Sequence, residues 1–262
     1  KCRIVKTRML RKIRMRFLRD SFRKIKYKVK FLSIKKNLNI SYLSNGNTNQ
    51  ELKKLMDLYG SDKGGRNNHH NYAQYYSEIF SNKKDKIQNF LEIGLGSNNP
   101  EVPSNMGLDG KPLASLRAWR DYFKNANIYG ADIDKNILKN EERIKTFYVD
   151  QTDPTTIKEM FRDIGISKFD IILEDGLHEY NANICFFENA IDFLASDGVY
   201  IIEDVYYKDQ EKFMKYFEKK SYNFSIIDIF HEKNIANNCL IVIKKWTKQK
   251  FMIVLLFIMK IF

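Results

Sequence analysis

Two runs, Asp170-Ile171-Ile172-Leu173-Glu174-Asp175-Gly176-Leu177-His178 and Val199-Tyr200-Ile201-Ile202-Glu203-Asp204, pass from apolar residues straight into carboxylates. Each reads as a buried strand with an acidic end, which is unfavourable unless a cation or hydrogen bonds compensate it. Two adjacent strands ending this way would gather three or four acids and one imidazole around a single crevice. That is the layout of a metal-assisted active site. Asp175, Glu203 and Asp204 can converge on one hard cation, which takes oxygen ligands and keeps positions for water and substrate. His178, three residues beyond Asp175, is spaced to accept a proton from a substrate hydroxyl.

The elements that would position these groups alternate in type. Phe90–Ile93 reads as a strand ending at Gly94-Leu95-Gly96, and Leu113–Phe123 as a helix. Ile128–Ala131 is a second strand with acids at Asp132 and Asp134, and Thr146–Val149 a third ending in Asp150-Gln151. A helix follows Pro154, a residue suited to a first helical turn. The two opening runs supply strands four and five, with a helix over Asn183–Leu194 between them. A helix over Asp209–Lys219 precedes Phe224–Phe230 and Cys239–Lys244, expected as an antiparallel pair at the sheet edge. The alternation predicts an α/β fold with a Rossmann-like, doubly wound, seven-stranded and mostly parallel sheet. In such sheets ligands bind beyond the carboxyl ends of the strands, where every one of these acids falls.

The turn Glu92-Ile93-Gly94-Leu95-Gly96 lets backbone approach a ligand closely. Ser97-Asn98-Asn99-Pro100 follows, so the third glycine of a dinucleotide fingerprint is missing and a pyrophosphate cradle is poorly supported. Asp132 is placed to accept hydrogen bonds from two ribose hydroxyls, and Asp150-Gln151 to meet the exocyclic amine of an adenine. A glycine turn, a ribose acid and an adenine-side pair without a phosphate site fit S-adenosylmethionine (SAM) better than NAD.

At Gly60-Ser61-Asp62-Lys63-Gly64, His70-x-Tyr72-x-x-Tyr75, Leu91-Glu92-Ile93-Gly94, Ser115-Leu116-x-x-Trp119, Ile128-Tyr129-Gly130-Ala131-Asp132, Asp150-Gln151-x-Asp153, Glu174-Asp175-Gly176-x-His178 and Ile202-Glu203-Asp204, the chain resembles the macrolide-sugar O-methyltransferases of the mycinamicin and tylosin pathways. The resemblance runs in order over about residues 55–206. It implies SAM and a divalent metal, usually Mg2+, held by Asp175, Glu203 and Asp204, with His178 as general base. It matches Ser61, Ser115, Asp132, Asp150 and Gln151 to cofactor-contacting positions, beside Glu92, Gly94 and Gly96 of the glycine turn. It also gives weight to His70 and Tyr72. Departures fall at Leu177, where a small polar residue is usual, and at Glu174, where Asp is commoner. The Ser97–Lys111 loop is long and individual, and the region before the motifs is far shorter than the N-terminal domain of the macrolide enzymes. The acceptor implied is a small-molecule or nucleotide-linked sugar of glycan, capsule or secondary-metabolite synthesis, with a phosphorylated or phosphoramidate capsular intermediate as the alternative.

Composition bears on partners. The 262 residues carry a formal net charge of +13, but residues 1–36 hold 16 Lys/Arg and one acid, so the remainder is slightly acidic. The chain therefore divides into a basic arm and linker (1–50), a catalytic domain (51–247) and an apolar tail (248–262). A near-neutral body argues against nucleic acid as partner, and against the competing reading of a nucleic-acid-binding protein anchored by its arm. The arm suits peripheral contact with anionic lipid, and the 12 residues from Phe251 are too few to span a bilayer. Cys2, Cys185 and Cys239 form no disulfide or zinc pattern, which favours a cytoplasmic setting, with the inner membrane face as the place for peripheral contact. Association with a second copy is left open. His69 and His231 read as solvated loop residues, and Trp119, Tyr122 and Phe123 as core or cofactor-wall packing.

Overall fold

A computed structural model describes residues 39–42, 50–65, 70–220, 222–231, 234 and 236–245. The basic arm, His69 and the apolar tail lie outside these residues. Residues 41–262 belong to one compact unit, whose described part holds all the chemistry that follows. After a short strand β1 (Asn39–Tyr42) come helices α1 (Glu51–Tyr59) and α2 (Tyr72–Phe80), separated by a 3-10 turn at Asp62–Gly64. Then β2 (Asn89–Ile93), α3 (Ala114–Tyr122), β3 (Asn127–Asp132), β4 (Ile144–Tyr148), α4 (Pro154–Ile164) and β5 (Phe169–Glu174) alternate. They are followed by α5 (Tyr180–Ala190), β6 (Leu194–Ile202), α6 (Gln210–Lys219), β7 (Asn223–Ile229) and β8 (Cys239–Lys244).

The strands form one sheet in the order β1-β7-β8-β6-β5-β2-β3-β4. The pairs from β4 through β3, β2 and β5 to β6 are parallel, whereas β6–β8 and β7–β8 are antiparallel. The seven strands β2 to β8 are the doubly wound, mostly parallel sheet read from the alternation, and β7–β8 is the antiparallel pair expected towards its edge. The chain leaves β3 and β4 on one side of β2 and places β5 on the other, so the crevice of this topology opens at the carboxyl ends of β2 and β5.

Local rules explain where several elements stop. Gly60, at φ 85°, closes α1 in the left-handed conformation that glycine adopts without steric cost. Asp153 caps α4 by accepting from the Thr155 amide, with Pro154 in the first turn. Several elements differ from the sequence reading, β6 among them, which begins at Leu194 and not at Val199. β4 begins at Ile144 because Arg143, at φ 55°, anchors the chain by hydrogen bonds to the carbonyls of Arg120, Phe123 and Ala126. α5 starts at Tyr180 and gives way to a 3-10 turn over Ile191–Phe193. α2, with its aromatic run Tyr72-Ala73-Gln74-Tyr75-Tyr76, is a helix that the spacing did not predict.

Two apolar layers cover the sheet. On one face Leu52 and Met56 of α1, Tyr72, Tyr76 and Phe80 of α2, and Leu116, Trp119 and Phe123 around α3 meet Phe90, Ile128, Ile171 and Leu173. On the other, Phe161 of α4 packs on Phe169, and Phe187 of α5 on Tyr200. Trp119 is the centre of the first layer, stacked on Phe123 at 5.6 Å, 5.0 Å from Phe90 and edge-on to Tyr76 at 5.5 Å. It is a core residue. No described helix is long and apolar enough to cross a membrane. Trp119→Ala is expected to cost about 3–5 kcal/mol, read as a lower urea midpoint for unfolding.

Candidate active site

Register builds the site. Ile93, Glu174 and Ile202 stand side by side on β2, β5 and β6. One residue on, Gly94, Asp175 and Glu203 form the next row, held by Asp175 N–H to the Ile93 carbonyl (2.8 Å) and Glu203 N–H to the Glu174 carbonyl (2.9 Å). Side chains alternate between faces, so Asp175 and Glu203 share the face of Glu92, two residues before Gly94, while Glu174 turns to the other. Gly94 is obligatory: at φ 89°, a Cβ there would overlap the Asp175 carbonyl oxygen.

The acids on the first face converge on one buried cation. Lys63, in the 3-10 turn after α1, places its Nζ against Asp175 Oδ2, 2.5 Å from Glu203 Oε2 and 3.5 Å from Glu92 Oε1. Lys63, Glu92 and Glu203 are almost inaccessible to solvent. Burial alone would lower the pKa of Lys63, yet Asp175, Glu203 and Glu92 outweigh that and raise it well above the usual lysine value. Burial raises the carboxyls too, but Lys63 and His178 keep Asp175 below the usual carboxylate range. Burial pushes Glu92 to about 7 against the pull of Lys63, and Glu203 well up. Glu203 also accepts from the Tyr76 hydroxyl at 2.5 Å, so donors from the 63–76 segment engage both of its oxygens.

Asp204 and His178 complete the centre. Asp175, His178 and Asp204 each present one ligand atom, all within 4.8 Å of one another, a spacing that admits a single metal ion. His178 Nε2 lies 3.9 Å from Asp175 Oδ1 and 3.7 Å from Asp204 Oδ2, and Nδ1 has no hydrogen-bond partner. Both His178 (φ 59°) and Asp204 (φ 54°) are left-handed, a conformation that costs a non-glycine residue energy and clusters at functional sites. Of the three acids expected to hold a metal, Asp175 and Asp204 belong to this group, whereas Glu203 stands beside it against Lys63 and Tyr76.

The opposite face of the same strand ends carries a different arrangement. Glu174, fully buried, accepts from the Tyr200 hydroxyl, from Gln151 Nε2 (2.5 Å) and from Asn183 Nδ2 (2.6 Å). Burial raises its carboxyl to about 8, with the three donors opposing. Gln151 Oε1 in turn accepts the Leu177 amide at 2.8 Å, so this side chain ties the third strand's end to the loop that carries His178.

A cavity of about 710 Å3 runs from the glycine turn to the acid–His group. Ser61, Gly94, Gly96, Ser115, Asp132, Asp150 and Gln151 line it together with Asp175, His178 and Asp204. Glu92 and Glu203 do not line it. Asp132 accepts from the amides of Leu95 (2.7 Å) and Asp134 (2.8 Å), one on each oxygen, and burial raises its carboxyl against them. Asp150 accepts from the amide and hydroxyl of Thr152. Lys63 and Tyr76 were not singled out from their chemistry. The signal for Tyr76 was its i,i+4 spacing from Tyr72.

No protein-family model matches the chain. Among curated proteins it is similar to the 8-demethyl-8-alpha-L-rhamnosyl tetracenomycin-C 2'-O-methyltransferase of Streptomyces olivaceus, at 31% identity over 147 residues, 56% of this chain and 35% of that protein. It is 30% identical over 157 residues to the demethylmacrocin O-methyltransferase of Streptomyces fradiae, 60% of this chain and 36% of that one. Mycinamicin VI 2''-O-methyltransferase of Micromonospora griseorubida matches at 30% over 163 residues, 62% and 37%. The match thus spans little more than a third of the length of these relatives. Among solved structures it resembles the MycE methyltransferase of the mycinamycin pathway, in complex with Mg, SAH and mycinamycin VI. That likeness has a TM-score of 0.57 at 23% identity, over 74% of this chain and 54% of that one. The fold is that of the class I SAM-dependent methyltransferases, and the curated relatives are O-methyltransferases of the kind that the motifs resemble.

Glu174 sets a pH dependence. Its folded value of about 8 exceeds the ordinary 4.5, so the stability tied to its protonated form is complete below about 4.5 and is lost as pH rises through 8. Glu174→Gln is expected to flatten that part of the stability–pH curve and to stabilise the protein at pH 9 relative to wild type, measured by denaturant unfolding.

Proposed function

We propose that the chain is a SAM- and divalent-metal-dependent O-methyltransferase acting on a sugar or sugar-like hydroxyl, in glycan, capsule or secondary-metabolite biosynthesis. One observation carries this reading. A single cavity joins a glycine turn and buried Asp132 at one end to Asp175, His178 and Asp204 at the other. The O-methyltransferase relatives support the reaction type, and the Mg and SAH in MycE support the cofactors.

In this reading Gly94, Gly96, Ser61, Ser115 and Asp132 seat SAM, which supplies a methyl group on a positively charged sulfur. Asp150 and Gln151 border its adenine. The two aspartates fit a hard divalent cation, with Asp175 Oδ1 and Asp204 Oδ2 facing one point, while His178 Nε2, 3.9 and 3.7 Å from them, stays available for the proton. When bound, such an ion lowers the pKa of a hydroxyl beside it. His178 Nε2 takes the proton from that hydroxyl, as its nearness to both aspartates permits. The walls of the cavity hold acceptor oxygen and methyl in line, and much of the acceleration comes from that positioning.

Calorimetric titration with S-adenosylhomocysteine, with and without Mg2+, tests both cofactors, and a methyl-transfer screen of nucleotide sugars and capsular fragments tests the acceptor. His178→Ala is expected to lower turnover by about 10²–10⁴-fold while leaving SAM affinity within about twofold. Asp175→Asn is expected to abolish metal dependence. Full methyl transfer in excess chelator would overturn the metal part of the reading.

A further inference from the structure

We infer that Tyr72 is a positioning residue that aims Asp204 at the metal; the inference rests on the metal reading of the site. The Tyr72 hydroxyl accepts from the backbone N–H of Asp204 at 3.3 Å and donates to Oδ1 of the same residue at 2.6 Å. One hydroxyl therefore engages both the backbone and the side chain of a single aspartate. Its proton goes to the carboxylate, which is charged and closer than the Asn237 carbonyl at 3.1 Å.

This double attachment matters because Asp204 is held at φ 54°. A non-glycine residue stays there only when its surroundings over-determine it. The Tyr72 bond occupies Oδ1, and His70 Nδ1 lies 3.2 Å from the same oxygen. Oδ2 is thereby turned towards His178 Nε2, where the second ligand atom of the metal group is needed. Asp175 is divided the same way, with Oδ2 on Lys63 and Oδ1 towards His178. In both aspartates, one oxygen is fixed by the 63–72 segment and the other is left for the cation.

Tyr72 itself is enclosed by packing. It is buried at the start of α2, stacked on His70 at 4.9 Å and 6.2 Å from Tyr76. A phenyl ring would fill the same volume, so the hydroxyl can be removed without emptying the core. Metal-ligand supports of this kind typically contribute 10–100-fold to metal affinity.

The test is Mn2+ binding by calorimetry and by electron paramagnetic resonance, on wild type and Tyr72→Phe, each saturated with S-adenosylhomocysteine. The expected result is Mn2+ affinity weakened about 10–100-fold in the variant, with S-adenosylhomocysteine affinity within about twofold and an altered Mn2+ spectrum. Equal Mn2+ affinity in the two proteins would overturn the inference and leave the metal reading standing. Equal weakening of both ligands, or a variant that does not fold, would make Tyr72 a general structural support and overturn it too. Absence of Mn2+ binding in wild type would overturn the metal reading and the inference together.

Discussion

The arrangement depends on one buried cation. Asp175, Glu203 and Glu92 project from three adjacent strands onto the same face, and their like charges would repel in a medium of low dielectric. Lys63 is the group that lets them stay there. Its ammonium comes from a 3-10 turn outside the sheet, so the helical segment ahead of β2 becomes part of the floor of the site. Removing one member of such a cluster strands the others, which makes Lys63 a condition for the site's geometry.

The two faces of the strand ends solve the same problem differently. Asp175 and Glu203 are met by a cation, while Glu174, the last residue of β5, is met by neutral donors from Tyr200, Gln151 and Asn183. A carboxylate with three neutral donors is satisfied geometrically but remains costly to ionise, hence its raised value of about 8. Alternation along a strand thus sets adjacent acids in opposite electrostatic surroundings. Gln151 joins the two regions, since it donates to Glu174 and accepts from Leu177 in the His178 loop.

The strands that carry the chemistry were legible because each is an apolar run stopped by an acid, a pattern with few alternatives in an α/β chain. β8 was read to the residue, and β2, β3, β5 and β7 to within a residue or two. β4 was harder, because it lies at the sheet edge with half its side chains only partly buried, so its hydrophobic pattern is weak. α2 was missed for another reason: its dense aromatics suit a strand as well as a helix, and its N-cap residue, Asn71, makes no side-chain cap bond. With α2 went the link between Tyr76 and Glu203. Lys63 sits among Ser, Asp and Gly, where a lysine ordinarily points to water, and its burial follows only from the tertiary fold.

The Ser97–Lys111 loop bears on how such a site could diversify. Its hydrogen bonds are largely internal: Asn98 to the Gly107 and Gly110 carbonyls, Asn105 to Val102, and the Met106 amide to Ser97. Ser104 Oγ donates to the Leu177 carbonyl in the loop bearing His178, and Leu108 projects almost wholly into solvent. Gly94, by contrast, abuts the Asp175 carbonyl directly, so change there would disturb both ends of the cavity at once. A change in the rim therefore breaks few bonds outside the loop itself, whereas a change in the floor of charged residues disturbs several strands at once.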